Sequence, residues 1–161
     1  MIQGGGSGTT TQRKGTSMQP AIRMPVIITT TTGSAHPLER ILIVDDEVAI
    51  AEFVAEILGD EGYQVRIWHD GASALVDILR EPPDLIVLDI AMPVMGGDEL
   101  LRRIRQQGQA IPVIVMTAGT NPERFLQDGA SAILPKPFEL ELLLNSVRSC
   151  LGTAKANLQR S

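Results

Sequence analysis

The sequence predicts an α/β fold, a five-stranded parallel sheet doubly wound with five helices, and three observations lead there. From residue 39 onward, short apolar runs alternate with segments of helical period. Most of those runs are continuous, as expected of strands covered on both faces. Four of them end in polar or charged residues: Asp45-Asp46, Asp89, Thr117 and Lys136-Pro137. Parallel strands gather their carboxyl ends at one edge of the sheet, where open α/β folds bind ligands.

Ile41–Val44 reads as the first strand. Between Asp46 and Gly62, Ile50, Phe53, Val54, Ile57 and Leu58 recur at helical spacing, with charges opposite and Gly62 as a stop signal. Tyr63–Trp68 alternates and reads as the second strand, with Trp68 packing a helix. Ala72–Arg80 is a short helix ended by Pro82-Pro83. Leu85–Leu88 is the third strand, and Asp98–Gln107 a helix with Leu100, Leu101 and Ile104 inward. Val113–Met116 is the fourth strand. A brief helix follows around Pro122–Gln127, with Pro122 in the first turn, where a missing N–H is harmless. Ser131–Leu134 is the fifth strand. Glu139–Cys150 is the final helix, with Leu140, Leu143, Leu144, Val147 and Leu151 on one stripe.

At 161 residues the chain has room for one domain and a surplus. The surplus is expected at the front. Residues 1–38 hold eight Thr, six Gly and three Ser, with Arg13, Lys14 and Arg23 and no acid. They read as a disordered extension. The domain is expected over residues 39–155, followed by a frayed end at 156–161. Residues beyond 38 carry 11 basic and 19 acidic side chains. An acidic domain disfavours nonspecific nucleic-acid binding, which neutralises phosphates with Lys and Arg. The single Cys150 suits a reducing compartment. No segment reaches the roughly 18 apolar residues that span a membrane, so a cytoplasmic location is expected.

The strand-end residues suit phosphoryl transfer when taken together. Asp45, Asp46 and Asp89 bring three carboxylates to one place, and like charges that close need a cation. Mg²⁺ suits an all-oxygen site that later shares phosphate oxygens. Asp89, on the central strand, is the candidate nucleophile. Lys136 can neutralise charge on the transferring oxygens, and Thr117 offers a hydroxyl donor. Each residue also has a plainer reading. Asp-Asp before a helix is an N-cap signature, Asp89 a loop former, Thr117 a product of β-propensity and Lys136 a solvated charge. Their joint occurrence at four strand ends favours the chemical reading.

Other chemistries find less support. Gly4-Gly5-Gly6-Ser7-Gly8 lacks the Lys-Ser/Thr of a phosphate-cradling loop. His36 and His69 have no partners at metal-ligand spacing. Met92 and Met95 read as loop packing.

Four segments carry a family resemblance. Ile-Leu-Ile-Val-Asp-Asp-Glu (41–47), Leu-Ile-Val-Leu-Asp-Ile-Ala-Met-Pro-Val-Met-Gly-Gly (85–97), Ile-Val-Met-Thr-Ala (114–118) and Gly-Ala-Ser-Ala-Ile-Leu-Pro-Lys-Pro-Phe (129–138) resemble the receiver domain of two-component response regulators. The likeness covers about residues 39–151. It implies a flavodoxin-like sheet of strand order 2-1-3-4-5. It implies that Asp89 accepts a phosphoryl group from a phosphohistidine on a sensor kinase or phosphotransfer protein. Mg²⁺ would sit at Asp45, Asp46, Asp89 and the main-chain carbonyl of Ala91. Thr117 and Lys136 would contact the phosphoryl group, with Lys136-Pro137 in cis.

Two positions depart from the family pattern. Ile133 stands where a Tyr, Phe or His usually reports phosphorylation. Only 19 positions separate Thr117 from Lys136, about three fewer than the family spacing, so the fourth helix should be short by roughly one turn. After Phe138, 23 residues remain, which leads to the expectation of a stand-alone receiver without a DNA-binding output domain, signalling to a downstream protein by contact. It would not be an enzyme in the usual sense, beyond Mg²⁺-dependent self-phosphorylation and slow self-dephosphorylation. The alternative is a receiver-like adaptor that is not phosphorylated. A phosphatase of related topology is disfavoured because no Asp-x-Asp follows the strand at Asp89.

Overall fold

Ile41 and Ile43 pack on one face of the sheet, Leu42 and Val44 on the other, and all four are fully buried. Successive side chains of a strand point to opposite faces. A strand covered on both faces has no polar side, which is why these runs are unbroken. The computed structural model describes residues 23–28 and 38–160. Its strands are β1 (Val26–Ile28), β2 (Arg40–Val44), β3 (Gln64–Trp68), β4 (Leu85–Asp89), β5 (Val113–Thr117) and β6 (Ala132–Pro135). Its helices are α1 (Val48–Asp60), α2 (Gly71–Arg80), α3 (Gly97–Gln106), α4 (Arg124–Gln127) and α5 (Leu140–Leu158).

The sheet order is β1-β3-β2-β4-β5-β6, and every ladder except β1–β3 is parallel. The five predicted strands therefore keep the order 2-1-3-4-5. Helices α1 and α5 cover one face through Val54, Leu58, Leu143 and Val147. Helices α2, α3 and α4 cover the other through Ile78, Leu100, Leu101, Ile104 and Phe125. Burying each such side chain contributes about 1.5–3 kcal/mol.

Three segments differ from the sequence expectation. Val26–Ile28, assigned there to a disordered extension, pairs antiparallel with β3 in the register Val26↔Ile67 to Ile28↔Val65. Without it β3 would be an edge with unpaired backbone groups, and the one apolar patch before residue 38 supplies the missing partner. Residues 1–22 and 29–37 of that extension lie outside the described residues. Phe53, expected to face inward, is 57% exposed on α1, because the buried stripe instead runs through Ala51, Val54, Ala55 and Leu58. Helix α5 continues to Leu158, through much of the stretch expected to fray. A Lys155–Glu39 ion pair of 2.6 Å ties that extra length to the start of β2.

The shortened fourth helix is real: α4 has four residues. Arg105 braces the connection around it. Its guanidinium donates to the carbonyls of Gly129, Gln109 and Ile111 at 2.7 to 3.1 Å, joining α3 to the turns before β5 and β6. Gly129 has φ +99, and a Cβ there would lie 2.9 Å from the Arg105 Nε. Arg105→Ala leaves three carbonyls to water and is expected to lower stability by about 2–3 kcal/mol, measured by urea unfolding.

Val94, in the loop after β4, has φ 66 and is fully solvent-exposed. A β-branched residue in the left-handed region costs about 1–2 kcal/mol. Since Val94 buries nothing, Val94→Asn is expected to stabilise the protein by about 1 kcal/mol. An unchanged or lowered unfolding midpoint would contradict the strain.

Candidate functional site

Register assembles the site. Val44 pairs with Leu88, so the next residues, Asp45 and Asp89, leave adjacent strands side by side. Thr117 pairs with Pro135 on the next ladder, which brings Lys136 just beyond Thr117. Asp45, Asp46 and Asp89 offer carboxylate oxygens within 4.8 Å of one another. Asp45 and Asp89 are buried, Asp46 half-buried. The Lys136 Nζ lies 2.8 Å from Asp89 Oδ1, 3.4 Å from Asp45 Oδ2 and 4.0 Å from Glu47 Oε1. Lys136-Pro137 is cis.

The N-cap reading of Asp45-Asp46 does not hold. Helix α1 begins after Glu47, with no side-chain cap. The Asp45 Oδ1 instead accepts the Glu47 N–H at 2.8 Å, which fixes the carboxylate inside the cluster. A capping aspartate does exist elsewhere: Asp70 accepts the Ser73 N–H at 2.7 Å and caps α2.

The loop after β4 is held close to the site. The Ile90 carbonyl accepts the N–H groups of Met92 and Gly97, each at 3.0 Å. A Cβ on Gly97 would come within 2.1 Å of the Asp89 carbonyl oxygen, so a side chain there would displace the Asp89 backbone. Met92 and Met95 are buried against the α2–α3 face, as loop packing predicts. Ala91 is exposed two residues past Asp89, and among the described residues its carbonyl accepts no hydrogen bond.

Thr117 stands apart from the cluster. Its hydroxyl oxygen accepts the Gly119 N–H at 3.0 Å and contacts none of the carboxylates, while its carbonyl accepts the Lys136 N–H at 2.8 Å. The hydroxyl proton stays available to a ligand oxygen. Ile133 is half-buried against the core beside α2, α3 and α4.

Charge in the site is unbalanced. Burial, together with the neighbouring Asp89, raises the Asp45 pKa above its ordinary 3.8, outweighing the Glu47 N–H and Lys136. Burial alone would lower the Lys136 pKa. The hydrogen bond and charge of Asp89, with the charge of Asp45, reverse that and raise it above 10.5. Three acids facing one ammonium fit a hard divalent cation, and the all-oxygen donor set suits Mg²⁺.

Sequence reasoning passed over two residues here. His69 was set aside for want of partners at metal-ligand spacing, yet its Nδ1 lies 2.8 Å from the Asp45 main-chain oxygen. The other is Glu47, whose carboxylate lies 4.0 Å from the Lys136 Nζ. His69 follows the last residue of β3, so the rule that singled out the other strand ends would have found it.

The profile of the response regulator receiver domain matches residues 41–148. The chain belongs to that family. Among curated relatives, Response regulator MprA of Mycobacterium avium is 43% identical over 119 residues, which are 72% of this chain and 52% of the relative. The chain thus spans about half the length of the curated relatives it matches. Among solved structures, a CheY-like receiver domain protein from Methanospirillum hungatei superposes with TM-score 0.71 at 33% identity, covering 75% of this chain and 99% of that one. NtrX from Brucella abortus superposes with TM-score 0.71 at 34% identity, over 76% of this chain and 29% of that one. This receiver keeps the five-stranded parallel sheet of the family and adds β1 at its edge. Among the described residues, no helix is long and apolar enough to cross a membrane.

The raised pKa of Asp45 has a testable consequence. A folded value above the unfolded one means that the group's contribution is fully present below about 3.8 and is lost as pH rises through the folded value. Lys136 has the same sign in a far more alkaline window: its pairing stabilises below 10.5 and is lost as pH rises through its raised folded value. Asp45→Asn imitates the protonated acid. In metal-free buffer the variant is expected to melt above the wild type at neutral pH, and the gap should close as pH falls toward 3.8. Equal melting at neutral pH would contradict this electrostatic account.

Proposed function

We propose that this receiver is a phosphorylation switch in which Asp89 accepts a phosphoryl group from a phosphohistidine. The donor would be a sensor histidine kinase or a histidine phosphotransfer protein. The observation that carries the reading is the Asp89–Lys136 contact of 2.8 Å beside two further carboxylates. A lysine against the acceptor oxygen holds that carboxylate in place and meets negative charge where it develops. In the transfer, an O–P bond forms at Asp89 as the P–N bond to the donor imidazole breaks, its electron pair returning to the ring nitrogen. Asp45, Asp46, Asp89 and the Ala91 carbonyl would hold Mg²⁺. When bound, that cation supplies charge neutralisation to the phosphoryl oxygens.

The chain's own residues would then report the event. The Thr117 hydroxyl accepts the Gly119 N–H and keeps its own proton to donate to a phosphoryl oxygen, and that new bond would bias a two-state loop. Signal would pass onward through contact with a downstream protein. A second reading, a receiver-like adaptor without phosphorylation, is favoured by Ile133 at the usual aromatic position and by the four-residue α4.

Incubation with acetyl phosphate and Mg²⁺ separates the two. The expected result is an alkali-labile mass gain of one phosphoryl group that Asp89→Asn abolishes and that decays slowly by itself. Amide exchange across residues 117–138 should change on phosphorylation, and Thr117→Ala should suppress that change while leaving the mass gain. No gain from acetyl phosphate or any phosphohistidine donor would favour the adaptor.

A further inference from the structure

His69 follows β3 at the sheet edge where Asp45 and Asp89 emerge. Its half-buried ring brings Nδ1 within 2.8 Å of the Asp45 carbonyl oxygen. A carbonyl cannot donate, so Nδ1 carries the proton and the ring is the donor. The Asp45 N–H in turn donates to the Trp68 carbonyl at 3.1 Å. The end of β3 therefore grips both main-chain groups of Asp45. Glu47 N–H holds one of its carboxylate oxygens and Lys136 the other.

The carbonyl that His69 holds belongs to the peptide joining Asp45 to Asp46. Turning that peptide would redirect the chain into Asp46. Among the described residues the Asp46 carboxylate has neither a hydrogen-bond partner nor an ion-pair partner, so nothing else orients it. We propose that His69 is a positioning residue for the cation site: its Nδ1–H bond locks the Asp45–Asp46 peptide and so presents two of the three carboxylates together. The proposal rests on the reading that Asp45, Asp46 and Asp89 bind Mg²⁺. Partners that orient metal ligands commonly govern affinity by about 10–100-fold.

Calorimetric titration of the full chain with MgCl₂ at neutral pH tests it. His69→Phe keeps ring volume and removes the donor, and should weaken Mg²⁺ binding about tenfold. His69→Asn restores a side-chain N–H and should return affinity to within about twofold of wild type. Unchanged affinity in His69→Phe would overturn the proposal, and so would equal weakening in both variants, since a purely structural role gives no rescue by a donor. Nitrogen-15 spectra of the wild-type imidazole add a measurement that needs no variant to fold. The Nδ1-protonated ring is expected with and without Mg²⁺, and an Nε2–H tautomer would overturn the proposal. If wild type binds no Mg²⁺, the cation reading itself fails and takes this role with it. If wild type binds and His69→Phe binds equally, the positioning role alone fails.

Discussion

The pairing of Val44 with Leu88 is the constraint on which the rest of the structure depends. It sets two central parallel strands level, so that each delivers an aspartate at the same height. A slip of one residue would turn every side chain of β2 to the opposite face. Ile41 and Ile43 would exchange places with Leu42 and Val44, and Asp45 would leave its partner. Because both faces of β2 are covered by helices, the hydrophobic core resists that slip. The same burial that stabilises the sheet therefore enforces the repulsion among three carboxylates.

That repulsion is offset only in part. Lys136 lies against Asp89 and Asp45, yet Asp45 remains harder to ionise than an ordinary aspartate because burial outweighs its partners. Such a site is less stable than a neutral one of the same shape, and functional sites commonly carry that kind of conflict. The exposed Val94, in a left-handed conformation in the loop that leaves Asp89, is a second instance of local strain near the same point.

The two ends of the β5–β6 region behave differently. Near the site, Thr117 and Lys136 are joined by a backbone hydrogen bond, so movement of one is transmitted to the other. Away from it, α4 is a single turn and Arg105 fastens its exit to α3. A short helix with a fixed exit leaves little surface to rearrange. Ile133 adds apolar packing where an aromatic ring could have moved between buried and exposed positions.

The five parallel strands, the short fourth helix and the strand-end residues were legible in the sequence because hydrophobic period and chain length are local properties. Asp45, Asp46, Asp89, Thr117 and Lys136 could be named as one constellation from their places after apolar runs. Tertiary structure decided what depends on partners distant in the chain. Val26–Ile28 is a strand only because β3 has a free edge, Phe53 faces solvent only because of how α1 meets the sheet, and α5 runs on because Glu39 meets Lys155. His69 acquires a role only when β3 lies beside β2 and brings its ring to the Asp45 carbonyl. A sequence displays what each residue prefers, whereas a hydrogen bond across 24 positions exists only once the sheet has closed.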